Sequence, residues 1–80
     1  MTARNAIEIR NLMNEIDTVE KFMAPRIAEA ERLDAISKER KLTKDEYKRV
    51  HELIDYIHEK NVFLVKAKER VRSFYMAVSA

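Results

Sequence analysis

The chain has 80 residues with no cysteine, no glycine and a single proline; 38% of the residues are charged and the net charge is +2. This length allows at most one domain, and the missing cysteines exclude a disulfide framework and a thiolate metal site. Without glycine there is no Gly-rich phosphate loop, and tight β-turns lose their usual residues. Together with the many Glu, Lys and Arg residues, this composition favours long helices.

No apolar run approaches the ~18 residues that a membrane span requires. The N-terminus also lacks the basic, apolar and small-residue segments of a signal peptide. We therefore expect a soluble, cytoplasmic protein that does not interact with membranes. Residues 1–37 carry a net charge of −2 and residues 38–80 a net charge of +4. This asymmetry favours electrostatic matching between two packed helices over a polyanion partner.

The first predicted helix runs from about residue 3 to residue 37, with Thr2 as its cap. Its apolar side chains recur at spacings of three and four residues, as in a heptad seam. The seam positions are Ile9, Leu12, Ile16, Val19, Met23, Ile27, Ala30, Leu33 and Ile36.

Pro25 leaves two interpretations of this helix open. Inside a helix, proline removes one backbone hydrogen bond and clashes with the carbonyl group four residues earlier, here that of Lys21. It could instead end one helix near Met23 and begin another at its first-turn position. The seam is nearly continuous across Pro25, and Ala24 would be a poor N-cap. A single kinked helix is therefore favoured over a break.

Residues 38–42 form a short, charged connection, which predicts an antiparallel helical hairpin. Basic residues surround this turn and the start of the next helix, and they could hold phosphate oxygens together with free backbone amides. This possible anion-binding set is Arg40, Lys41, Lys44, Lys48 and Arg49. Acidic residues are interspersed, so a solubilising turn is favoured over a nucleic-acid or nucleotide site.

The second predicted helix, residues 43–78, begins with a capping box formed by Thr43 and Glu46. Asp45 adds negative charge to its first turn, where the helix dipole favours it. The apolar seam is interrupted at Lys60. Its members are Val50, Leu53, Ile57, Leu64, Ala67, Val71, Phe74 and Val78.

Residues 62–65 are four consecutive apolar residues in the middle of this helix. They point in four directions, so one neighbouring helix cannot cover them all. A loose third segment could cover the remainder, but little chain is available for it, and self-association into a homodimeric four-helix bundle or a higher oligomer is favoured. The predicted interface comprises Phe22, Tyr56, Val62, Phe63, Leu64, Val65 and Tyr75.

A catalytic or metal-binding interpretation has little basis in the sequence. His51, Asp55 and His58 share one helix face and could ligate a divalent metal. However, they flank the seam, and the first helix offers no histidine. An exposed His–Asp pair is the favoured interpretation. We therefore predict no enzymatic activity, no metal and no cofactor.

Two short stretches resemble known hairpins. Leu42, Thr43, Glu46 and Asp55 are similar to positions in sporulation-type aspartyl-phosphatase hairpins, although His51 stands where that motif has serine. Residues 63–77 resemble the last helix of phage-encoded hairpins that sequester cyclic nucleotides, a resemblance that implies nucleotide binding. Neither is adopted as the function.

The predicted function is a small protein–protein interaction module (an adaptor, chaperone or inhibitor) that acts as a self-associating hairpin and binds an unidentified protein. The alternative is a binder of nucleic acid or of a phosphate-bearing small ligand. That alternative would use the basic turn and the C-terminal helix face.

Overall fold

The computed structural model describes residues 3–79. These residues form helix α1 (Ala3–Glu39) and helix α2 (Lys44–Ser79), connected by residues 40–43. The helices pack along their whole length as an antiparallel hairpin measuring 56 × 19 × 15 Å. The predicted all-α hairpin is confirmed. Thr2, the predicted first cap, lies outside the described residues.

A single stripe of each helix faces the other. On α1 the buried side chains are Ile9, Ile16 and Met23, which lie seven residues apart. On α2 they are Leu53, Leu64 and Ala67, and Leu53 is the most deeply buried, at 1% exposure. Seven residues make nearly two helical turns and bring a position back to almost the same direction, so this spacing keeps the stripe of α1 facing its neighbour. Burial of each larger aliphatic side chain stabilises the hairpin by roughly 1.5–3 kcal/mol.

The predicted capping box forms at the start of α2. The Thr43 amide donates to the Glu46 carboxylate at 2.8 Å, and the Glu46 amide donates to the Thr43 hydroxyl at 3.2 Å. Arg40 adds two hydrogen bonds to the same carboxylate, at 2.8 and 2.9 Å. These hydrogen bonds, chiefly that from Arg40, lower the pKa of Glu46 from 4.5 to about 2. The turn is therefore fixed by a charged side-chain cluster rather than by glycine.

Pro25 lies inside α1, and the helix continues on both sides of it. The alternative in which α1 breaks at Pro25 is therefore wrong. A proline at this position cannot donate a backbone hydrogen bond to the carbonyl of Lys21. The kink favoured from the sequence stays a prediction.

Candidate protein-interaction surfaces

The hairpin has two lateral faces, one on each side of its seam. Two ion pairs cross the first face: the Arg49 guanidinium donates to Glu29 at 2.6 and 3.2 Å, and Arg70 lies 3.8 Å from Glu8. Positions seven residues apart share a direction on a helix. Phe22 lies seven residues before Glu29 on α1, so it shares this face. On α2, Tyr56 and Phe63 share it as well, because residues 49, 56, 63 and 70 are spaced by seven. We call Phe22, Tyr56 and Phe63 the Phe22 face.

The Phe22 face combines an exposed aromatic ring with two cations. Phe22 is 66% exposed, whereas Tyr56 and Phe63 are half-buried against the core. The Arg26 guanidinium lies 5.7 Å from the centroid of the Tyr56 ring, and the Lys60 ammonium lies 5.6 Å from it. Both distances fit cation–π contacts. Lys60 occupies a position of the apolar seam, but its charged end lies over Tyr56 at the edge of the hairpin. This placement explains how a lysine can stand in the seam.

A groove of about 500 Å³ lies beside this aromatic cluster. Its apolar walls are the half-buried Val19 and Phe63. The polar and charged residues that line the rest are Asn14, Glu15, Thr18, Glu59 and Lys60. An apolar floor with a few polar groups at its rim is typical of a site that receives a side chain of a ligand or partner.

The opposite lateral face carries a second group of exposed apolar side chains. Contacts between the helices locate it: the Tyr75 hydroxyl donates to the Met13 sulfur at 3.8 Å, and Lys68 lies 3.0 Å from Glu20. Tyr47, Ile54, Lys68 and Tyr75 are separated by multiples of seven residues, and Ile27 lies seven residues after Glu20. We call this surface the Tyr75 face. Its apolar members are Met13, Ile27, Tyr47, Ile54, Val65 and Tyr75, all between 38% and 60% exposed.

The hairpin distributes the predicted interface residues over different surfaces. Phe22, Tyr56 and Phe63 lie on the Phe22 face, whereas Val65 and Tyr75 lie on the Tyr75 face. Val62 is exposed on the outer side of α2. Leu64 is 8% exposed and packs between the two helices. Residues 62–65 therefore do not form one surface, and Leu64 belongs to the seam rather than to the centre of an interface.

The sequence-based interface omitted four residues of the Tyr75 face: Met13, Ile27, Tyr47 and Ile54. A signal for them was present, because Tyr47, Ile54 and Tyr75 recur at multiples of seven residues, displaced by one position from the seam residues Leu53 and Phe74. Such a second row parallel to the seam indicates an additional apolar face.

The predicted anion-binding residues divide into two groups. Arg40 binds Glu46, and Arg49 binds Glu29 and Glu52. The hydrogen bond from Arg49 lowers the pKa of Glu29. These two arginines hold the turn and join the helices. Lys41, Lys44 and Lys48 are exposed around the turn, and anion binding by this set stays a prediction.

The described residues contain no group of three or more His, Cys, Asp or Glu side chains arranged to hold a metal ion. The alternative metal site at His51, Asp55 and His58 therefore has no geometric support. His51 instead makes an edge-to-face ring contact with Tyr47 at 4.6 Å. Neither described helix is both long enough and apolar enough to span a bilayer.

These features define a two-helix hairpin whose seam is closed and whose two lateral faces expose apolar side chains. The chain belongs to the family described as DNA polymerase III, delta subunit, whose family model matches residues 3–77. Comparisons with curated proteins and with solved structures give no significant match.

Proposed function

We propose that this chain is a small, non-enzymatic protein–protein interaction module in DNA replication that acts as an adaptor. Its family name describes a subunit of a DNA polymerase, and a subunit works by contacting other proteins. The shape of the chain supports this role, because two helices bury one stripe each and leave both lateral faces to other molecules.

The observation that carries the proposal is the exposed ring of Phe22 in the middle of the Phe22 face. A large aromatic side chain that is 66% exposed has no role in the seam of the hairpin. Aromatic and arginine side chains near the centre of a patch dominate the energy of many interfaces. Tyr56 and Phe63 share this face by their spacing, and Arg26 lies about one helical turn after Phe22 on α1.

The charges on this face indicate the chemistry of the partner. Arg26 and Lys60 lie over Tyr56 and have no ion pair among the described residues. A carboxylate of the partner could bind them, while an apolar side chain next to it enters the groove beside Phe63. We therefore expect the partner to be a replication protein that presents an apolar anchor flanked by Asp or Glu.

The groups whose pKa is clearly shifted belong to the ion pairs of the fold. They are Glu29, Arg40, Glu46 and Arg49, whose ion pairs hold the turn and the two helices. Such shifts mark structural pairs here, whereas an active site usually places them in a cleft.

The experiment is a binding titration of the purified chain against each purified subunit of a bacterial DNA polymerase III. We expect one subunit to bind, and Phe22→Ala to weaken that binding roughly tenfold or more, because loss of a central aromatic residue costs about 2 kcal/mol. The matched control is Ile7→Ala, which truncates a similarly exposed side chain of α1 (59%) outside this face.

The same titration with DNA distinguishes the basic-turn alternative. Binding to nucleic acid falls steeply with salt, and it would be lost when Lys41, Lys44 and Lys48 are replaced by Glu. If the chain binds DNA in this manner and binds no polymerase subunit, the proposed function is wrong. Equal effects of Phe22→Ala and Ile7→Ala would show that the Phe22 face is not the docking site.

A further inference from the structure

The Phe22 face carries an exposed ring and a groove close to each other. Phe22 is 66% exposed, and the groove is lined by Val19 on α1 and by Phe63 on α2. Val19 lies three residues before Phe22, which is about 4.5 Å along the helix axis. A projecting ring next to a recess is typical of a self-complementary surface, on which two copies exchange the same contacts across a two-fold axis.

The charges of α1 are placed symmetrically about this ring and groove. Glu15 lies four residues before Val19, and Arg26 lies four residues after Phe22. Spacings of four, seven and eleven residues return to nearly the same direction on a helix, so all four residues share one side of α1. Glu15 and Arg26 have no ion pair among the described residues. An antiparallel second α1 would therefore place Arg26 against Glu15 and Phe22 against Val19, twice each.

Helix α2 has a symmetric arrangement of its own. Glu59 lines the groove, and Lys66 lies seven residues further along the same side of the helix. Phe63 lies between them, and neither charged residue has an ion pair within the described part of the chain. An antiparallel second α2, centred between residues 62 and 63, would pair each Glu59 with Lys66 of the other copy.

The symmetry centres of the two helices lie at the same level of the hairpin. The centre on α1 lies between residues 20 and 21, which are 19 and 18 residues before the end of α1 at Glu39. The centre on α2 lies between residues 62 and 63, which are 18 and 19 residues after the start of α2 at Lys44. Because both helices have the same rise per residue, a single two-fold axis at this level satisfies both helices.

From this symmetry we propose that the Phe22 face binds a second copy of the chain, with the turns of the two hairpins at opposite ends. The two-fold axis is perpendicular to the helices, so that α1 packs on α1 and α2 packs on α2 of the other copy. Each Phe22 ring enters the groove of the other copy beside Val19 and Phe63.

This inference rests on the proposed function and adds a regulation to it. The face that forms the dimer is the face proposed to bind a polymerase subunit. A second copy and the subunit therefore exclude each other, and the dimer is the form in which the docking site is covered. The apolar centre of the face is small, so we expect a weak dimer with a dissociation constant of roughly 1–100 micromolar. Such a dimer gives way to a partner that binds more tightly.

The position of Phe22 favours this arrangement over the one with both turns at the same end. In that alternative, α1 packs on α2 of the other copy, and Phe22 comes level with Asn61, next to the charged Lys60. Both positions are seventeen residues from the helix ends at the turn. The proposed arrangement instead buries the ring against apolar side chains. A hairpin of 56 × 19 × 15 Å has a lateral face large enough for the roughly 800 Å² per partner of a specific interface.

The first test is sedimentation velocity over a dilution series of the purified chain, with circular dichroism to show that each variant is folded. We expect the unmodified chain to dimerise. Glu59→Lys and Lys66→Glu should each weaken the dimer at least about fivefold, because each replaces two ion pairs by two contacts between like charges. The combination of both substitutions should restore the dissociation constant to within about threefold of the original.

Two controls make the same charge changes on the opposite sides of the helices. Glu31 lies nine residues after Phe22, and Arg72 lies nine residues after Phe63, so each points away from the Phe22 face. Both residues are exposed. We expect Glu31→Lys and Arg72→Glu to change the dissociation constant by no more than about twofold, because exposed charges outside an interface act weakly at moderate salt.

Disulfide trapping tests the geometry directly, since the chain contains no cysteine of its own. Chains carrying Glu59→Cys are mixed with chains carrying Lys66→Cys and are oxidised. The mixed dimer should form, because the proposed arrangement brings these two positions together. Glu59→Cys mixed with Arg26→Cys should give little cross-linking, because that pair requires α1 to pack on α2 of the other copy.

The final test measures competition with the polymerase III subunit that binds the chain. The cross-linked dimer should bind this subunit at least about tenfold more weakly than the same sample after reduction, because the cross-link keeps Phe22 covered. A chain that stays monomeric at about 1 mM would overturn the inference and would leave subunit binding as proposed. Undiminished binding by the cross-linked dimer would overturn the mutual exclusion. If no subunit binds but the charge exchange and the cross-link succeed, the dimer is supported and the proposed function is wrong.

Discussion

Leu53 and Ile54 are consecutive residues of α2 with opposite environments, and they provide the sharpest test of the seam. Leu53 is 1% exposed and Ile54 is 53% exposed. Leu53→Ala removes a buried side chain and leaves a cavity, a change that costs 2–5 kcal/mol in other proteins, and we expect about 3 kcal/mol here. A value near the middle of that range follows because a two-helix structure can partly close around the cavity.

The matched variant Ile54→Ala should cost less than about 1 kcal/mol in the monomer, since about half of the side chain already contacts water. Urea denaturation followed by helical circular dichroism measures both changes. With a slope near 1 kcal/mol per molar urea, Leu53→Ala lowers the midpoint by about 3 M.

Equal losses for the two variants under dilute conditions would refute the assignment of Leu53 to the seam and of Ile54 to the Tyr75 face. A large loss for Ile54→Ala would instead show that Ile54 packs within the hairpin.

Two further predictions concern the turn and Pro25. The pKa of Glu46 is lowered from 4.5 to about 2 in the folded chain, so its contribution to stability is complete above pH 4.5 and is lost as the pH falls towards 2. Urea denaturation at several pH values should show this loss of stability, and the Glu46→Gln variant should show a smaller loss. An unchanged acid profile would contradict the Arg40–Glu46 pairing. Pro25→Ala restores the backbone N–H that proline lacks and should raise the free energy of unfolding by up to about 3 kcal/mol. A destabilised variant in the same assay would show that the seam depends on the bend that proline imposes.

The hairpin could be predicted from the sequence because its determinants are local. The spacing of Ile9, Ile16 and Met23 defines one stripe, and no other element competes for it. The capping box depends on Thr43 and Glu46, three residues apart, and on a backbone geometry that every helix start shares. Both features were identified from spacing alone and appear in the structure as expected.

The division of the surface into two faces could not be predicted in the same way. The helical phase of residues 62–65 was clear, but the choice of which directions face α1 required the register between the helices. That register depends on contacts such as Arg49–Glu29, which join residues twenty positions apart. The partner of Arg40 is likewise set by the path of the turn. Grouping Phe63 with Val65 therefore combined residues from opposite sides of the hairpin.

The charges beside the Phe22 face are used in two ways. Arg49 and Arg70 are paired with Glu29 and Glu8 within the hairpin, so they hold the fold and should add little to the binding of a partner. Arg26 and Lys60 lie over Tyr56 without an ion pair among the described residues, so they are open to a carboxylate of the partner. Because exposed ion pairs weaken as salt rises, we expect the affinity of the Phe22 face to fall moderately with salt while the apolar contacts of Phe22 persist.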